Sequence, residues 1–289
     1  MAAEQLVLTR HVKLRGGRMV VGMDGWMDGG DVSTGTVGAL VRLLRAEEVG
    51  HIEPEDFYVL NFPGSMEVAA LFRPHAKISD GLVVRLDFPA NTFHLHAPGR
   101  LVLFEGKEPN LRWPAFADAL FAAAEQFGVR DVYFVGSVAG IVPHTREPRL
   151  FCSVSEESLK GDLEPLGVRF SSYDGPAGFS TYLTREAPSR GLRMVTLVAE
   201  IPAYIQGRNP LCIESVLRRL AGLLRLHVPM DELRAVAAAF EKKLNEAVKG
   251  RGELLQLITK LESDYDSELF DTQMGDLKEW LQQKGIRLD

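Results

Sequence analysis

The segment "WPAFADALFAAAEQFGVRDVYFVGS", Trp113 to Ser137, narrows the choice of fold more than any other stretch of the chain. Pro114 stands at a first-turn helix position, where its missing N–H costs nothing, and Gly128 lies just past the helix end. Phe116, Leu120, Ala123 and Phe127 recur at threes and fours and form one apolar stripe. Asp131 to Gly136 then reads as a strand buried on both faces of a sheet, and Leu101 to Glu105 supplies a strand before the helix. Strand, helix, strand in this order implies a right-handed parallel crossover, and hence an α/β protein.

The remaining pattern fits that class. Arg18 to Met23 is a continuous apolar strand. Val37, Leu40, Val41 and Leu44 mark a helix after it, with Asp31, Ser33 or Thr34 available as its cap. Further strands are expected at Phe57–Phe62, Leu82–Phe88, Thr92–His96, Arg149–Val154 and Leu192–Glu200, and a helix at Phe179–Ala187. Asn209 and Pro210 open a helix with the stripe Ile213, Val216, Leu217, Leu220 and Leu224. Beyond Pro229 strand signals cease, and Leu233, Val236, Phe240, Leu244 and Val248 mark a helix. Leu254, Leu257, Ile258 and Leu261 continue it after the interruption at Gly250 and Gly252. The expected organisation is an α/β domain over residues 1–228 and a helical C-terminal extension over 229–289.

Composition excludes several function classes. The net charge of −6 has both signs well mixed, so a basic footprint for nucleic acid is absent. Cys152 and Cys212 have no CxxC spacing; they point to a reducing cytosol and small buried side chains, not to zinc or a disulfide framework. No charged segment followed by an apolar one marks a signal peptide. The longest apolar run, Val132 to Pro143, falls short of the ~20 residues of a membrane helix. A soluble cytoplasmic protein is the expectation.

In open parallel sheets ligands gather beyond the carboxyl ends of the strands. Glu105, Ser137 and Glu200 stand there as catalytic candidates, although strand ends are also where polar residues ordinarily begin. Asp24, Trp26, Asp28, Tyr204, Arg208 and Asn209 are candidate binding residues. The glycine-rich loop after the first strand, "GMDGWMDGGDVSTG", lacks the G-x-x-x-x-G-K-[ST] and G-x-G-x-x-G patterns. No lysine or arginine lies between Met19 and Val41, and Asp24, Asp28 and Asp31 would repel a phosphate. Their spacing is not that of a calcium loop either, so no metal and no cofactor is expected. Trp26 is a lid, a stacking platform, an interface anchor, or a side chain folded back on the core. "VGSVAG" around Ser137 lacks G-x-S-x-G, and His94 and His96 have no further metal ligands in view. In "EIPAYIQGRNP", Glu200 and Arg208 read either as a base and an anion clamp or as an ordinary ion pair beside a helix cap at Asn209.

Four segments resemble the proteasome assembly chaperone 2 (PAC2) family. "GMDGWMDGGDVSTGTVGAL" resembles its G-W-x-D-(A/G)-G opening, and "FEGKEPNLRW" its G-x-E-P-x-x-x-W segment, typical of the longer bacterial branch. "GVRDVYFVGSVAG" and "AEIPAYIQGRNPLCIESVLRRL" resemble its third and fourth elements. The resemblance implies a phosphorylase/hydrolase-like three-layer α/β/α body with a mostly parallel sheet, and a homo-oligomer, a trimer among the options, with a protein partner possible. One departure is the ending "KGIRLD", which lacks the hydrophobic-tyrosine-any-residue tail with which archaeal relatives dock on the proteasome. Two readings stand side by side. One is an oligomeric, non-catalytic interaction or assembly factor. The other is a small-molecule hydrolase or transferase whose Asp24, Glu105, Ser137 and Glu200 surround one cavity near Trp26.

Overall fold

The apolar run that begins at Gly17 forms the middle of the sheet. The structure, a computed structural model, describes residues 5–283, with side chains described through residue 270. The strands are β1 (Leu6–Leu8), β2 (Gly17–Asp24), β3 (Glu47–Ile52), β4 (His75–Ser79), β5 (Leu82–Asp87), β6 (Thr92–His96), β7 (Leu101–Lys107), β8 (Val129–Gly140), β9 (Leu150–Val154), β10 (Arg169–Phe170) and β11 (Arg193–Pro202). The helices are α1 (Val32–Leu44), α2 (Met66–Ala70), α3 (Trp113–Gln126), α4 (Lys160–Leu163), α5 (Phe179–Glu186), α6 (Pro210–Leu223), α7 (Asp231–Lys249) and α8 (Gly252–Gln283).

Successive side chains of β2 leave the sheet in opposite directions, and both sides are buried. Met19, Val21 and Met23 join one apolar cluster with Phe116 and Leu120 of α3 and Phe179 and Leu183 of α5. Val20 joins a second cluster with Val37 and Leu40 of α1, Ile213 and Val216 of α6, and Leu233 of α7. Burial on both faces is why β2 carries no polar alternation.

The main sheet has nine strands in the order β1-β3-β6-β7-β2-β8-β11-β9-β10. The central β7, β2, β8 and β11 are paired in parallel with one another. On one side β6, β3 and β1 are antiparallel, and on the other β9 is antiparallel to β11 while β10 is parallel to β9. The sheet is therefore mixed, not mostly parallel. The physical reason is connection length: β6 reaches β7 through the short turn Ala97–Gly99, and so short a link permits only an antiparallel return. The α3 crossover joins β7 to β8 as expected, but β2 lies between those two strands.

Phe57–Phe62, expected as a strand, forms none. Phe57 and Tyr58 are buried because they anchor a loop: the Phe57 carbonyl accepts the Asn110 and Leu111 N–H groups, and Tyr58 Oη donates to Asn91 Oδ1 at 2.7 Å. Leu82–Phe88 does contain a strand, β5, but it pairs only with β4 in a separate hairpin. The C-terminal pattern divides into α7 and α8 at Gly250 and Arg251, where the glycines interrupt it. Among the described residues no helix is long and apolar enough to cross a membrane. The C-terminal ending lies outside the described residues.

Candidate functional site

The loop between β2 and α1 is held by three segments distant in sequence. Gly25 adopts φ 136°, a region that disfavours side chains, and a Cβ there would come 2.9 Å from Glu108 Cβ. That close approach lets Glu108 use both carboxylate oxygens: Oε2 accepts the Trp26 N–H and Oε1 the Phe179 N–H, each at 2.9 Å. Next along the loop, the Ser137 N–H donates to the Met27 carbonyl and Ser137 Oγ to the Gly29 carbonyl at 2.6 Å. Finally the Asn209 N–H donates to the Gly30 carbonyl at 2.8 Å. The four motif-bearing segments of the sequence therefore meet at this loop.

Asp28 sits inside the same turn. Its Oδ1 accepts the Thr34 N–H at 3.1 Å and its Oδ2 the Thr34 hydroxyl at 2.7 Å, so it caps α1 from outside the helix. The sequence suggested Asp31, Ser33 or Thr34 as the cap. Asp31 occupies the position but makes no side-chain cap bond, and the Ser33 hydroxyl is engaged with Met23 N and the Val135 carbonyl. Burial is the main cause that pushes the Asp28 carboxyl up to about 6, against the opposing pull of Thr34.

The remaining candidates lie apart. Glu105 shares its strand face with Leu101 and Leu103, on the side of α1, and a Cβ on Gly38 would lie 2.8 Å from its Oε1. His94 Nδ1 is 3.8 Å from Glu105 Oε2; burial pushes the carboxyl up and the imidazole down. Glu200 lies on the opposite face parity, alternating with Ala199 and Ile201, and pairs with Arg149 at 3.3 Å. Glu105 and Glu200 are three strand spacings apart, roughly 14 Å across the sheet. Ser137 is fully buried. Asp24 is exposed, 3.7 Å from Lys107 Nζ. These four groups do not line one cavity: Asp24 and Glu200 border different clefts.

Trp26 is 65% exposed, beside Gly178, so it is not folded into the core. The Tyr204 hydroxyl accepts the His144 N–H at 2.7 Å and stands 2.8 Å from His144 Nδ1. Arg208 is exposed with Nη2 beside Gly35. Asn209 is the N-cap of α6, its Oδ1 accepting the Cys212 N–H at 3.2 Å. A cleft of about 230 Å³ borders Asn209, His144 and Glu200. Both cysteines are free and buried, with thiols pushed up to about 12 by burial. Among the described residues no three His, Cys, Asp or Glu side chains are grouped as a metal would require. Glu108 was missed as a site residue; its signal was its place in the E-P segment. His144 and Arg149 carried no signal, since their partners come from distant segments.

A nine-strand mixed sheet, C-terminal helices and a glycine loop clasped by Glu108, Ser137 and Asn209 define an α/β protein of the class to which several solved bacterial proteins belong. The chain is a member of the PAC2 family, whose sequence profile matches residues 22–248. A PAC2 family protein from Streptomyces avermitilis is 27% identical, covering 84% of this chain and 99% of its own, with a TM-score of 0.72. A Mycobacterium tuberculosis proteasome-assembly chaperone homologue is also 27% identical, with coverage of 83% and 99% and a TM-score of 0.72. A second M. tuberculosis protein, described as of unknown function, shares the fold at a TM-score of 0.78 with 24% identity and 91% of each chain covered. No curated protein matches the sequence.

Proposed function

We propose that the protein is a homo-oligomeric, non-catalytic interaction factor of assembly-chaperone type. The observation that carries this reading is the segment between β3 and β6. Every residue of β4 and β5 except Asp87 is exposed, on both faces of the hairpin. Ile78, Val83, Val84 and Leu86 are among them, with Leu82 70% exposed. Next to the hairpin, Met66 is 84% and Leu71 75% exposed. A bare two-stranded hairpin is marginal in water, and this many exposed apolar side chains in one segment favour an interaction surface. Copies of the same chain are the proposed cover.

The clasped loop supports the same reading. Glu108 and Ser137 bond the loop backbone through their side chains, Asn209 does so through its N–H, and Asp28 holds Thr34, so the loop is a fixed mount for exposed Trp26. The small-molecule alternative rested on polar groups gathered at the strand ends, and Glu105 and Glu200 stand on opposite faces of the sheet. Apolar clusters on both sides of β2 favour a three-layer α/β/α description of the α/β domain, residues 1–228, with 229–289 as its C-terminal extension. Two free buried cysteines suit a reducing compartment, and we place the protein in the cytoplasm.

Light scattering tests the reading. The full-length protein at micromolar concentration is expected to show a mass of several subunits, and Val84→Lys with Leu86→Lys to bring it to one. A monomeric wild type, or an unchanged mass for the double variant with native circular dichroism, would overturn the assignment.

A further inference from the structure

A second feature lies where α8 crosses the body. Arg149, Arg169, Arg218 and Arg219 border a cleft of about 430 Å³, together with Tyr265 and Leu269 of α8 and with Glu147, whose Oε1 accepts from Arg218 at 2.6 Å. Two of these guanidinium groups grip one carboxylate: Arg149 and Arg169 each donate to a different oxygen of Glu268. Arg149 also lies 4.6 Å above the centre of the Tyr265 ring and 3.3 Å from Glu200. Arg219 is held differently. Its hydrogen bonds run to the carbonyls of Pro148, Leu166 and Gly167, and among the described residues no carboxylate stands within ion-pair distance of it.

The cleft thus sets four guanidinium groups against one carboxylate of its own lining, Glu147. Backbone carbonyls fix the Arg219 fork in place without neutralising its charge. Arg149, itself only 13% exposed at its side chain, is fixed by a ring and a carboxylate. Planar guanidinium groups oriented in this way match the paired oxygens of carboxylates and phosphates. Glu268 is half exposed, and the next two residues, Leu269 and Phe270, are exposed apolar side chains. Glu268 is the most solvent-screened member of this cluster, 49% exposed against 13% for Arg149 and 28% for Arg169.

We infer that the arginine cleft is a binding site for a small oxyanion, carboxylate or phosphate, and that Glu268 of α8 occupies it in the ligand's absence. An entering anion takes the two oxygen positions of Glu268 and adds a bond to Arg219. The last described turns of α8 then lose their tether to Arg149 and Arg169. No residue of the β4–β5 hairpin borders the cleft, so this inference is independent of the assembly reading.

Isothermal titration calorimetry at low ionic strength provides the test, with inorganic phosphate and succinate as separate probes on the full-length chain. Glu268→Gln removes the competing charge and is expected to bind at least one probe roughly fivefold more tightly than the wild type. Adding Arg169→Ala to that variant is expected to abolish the gain. A response to phosphate alone would assign a phosphoryl ligand, and to succinate alone a carboxylate ligand. Hydrogen exchange gives a second readout on the unaltered protein: the effective probe should speed exchange over residues 252–270. The inference is overturned if Glu268→Gln binds neither anion better than the double variant does, or if saturating anion leaves exchange in α8 unchanged.

Discussion

Asp28 shows how a single side chain can serve the fold and still be under electrostatic tension. Its two oxygens cap α1 through Thr34, yet burial holds its carboxyl near 6, well above the usual 3.8. A raised native value means that the folded state binds the proton more readily than the unfolded state. Between about pH 4 and 6 this residue's contribution to stability therefore falls as pH rises, and it is constant above that window. Asp28→Asn is neutral throughout and should gain on the wild type across the same interval. Urea melts at pH 4.5 and 7 would measure the difference; an equal gap at both would mean that Asp28 has an ordinary pKa. The sequence had marked Asp28 as one of three loop aspartates. Its role as the cap was hidden because Asp31, three residues later, occupies the conventional position.

Among the elements, the packing of α1 on β2 depends on Gly22 more than on the glycines of the loop itself. A Cβ at Gly22 would stand 2.6 Å from Val37 Cγ2 and 2.7 Å from the Ser33 carbonyl. Gly22→Ala should therefore push the helix off the strand at a cost of about 1–3 kcal/mol. A lower urea midpoint with an unchanged slope would confirm a purely native-state effect; an unchanged midpoint would show that the helix shifts freely. The two helices with a clean apolar stripe, α3 and α6, were legible because burial of one face leaves a periodic trace. Phe57–Phe62 misled for the same reason: Phe57 and Tyr58 are buried, but as anchors of a loop bonded to Asn91 and Asn110. The burial of a short apolar run is written in the sequence, whereas its hydrogen-bonding partner is not.

For the molecule as a whole, the proposed assembly through the exposed hairpin would make stability a matter of concentration. If copies cover that surface, association favours the native state, and the melting temperature should rise with protein concentration. A differential scanning experiment from micromolar to hundreds of micromolar would show it, and the Val84→Lys, Leu86→Lys variant should melt at one temperature throughout. A wild-type melting temperature independent of concentration would count against assembly through this surface. The residues alone were enough for the α/β class, the parallel β7–α3–β8 unit, the helical end and the four segments that mark the family, because burial and capping leave local, periodic signatures. They were not enough for the mixed sheet, the isolation of β4 and β5, the separation of Glu105 from Glu200, or the meeting of Arg149 and Arg169 with Glu268. Those facts depend on which distant segments pair and on which side of a strand each residue falls, and a one-residue change in register reverses the latter.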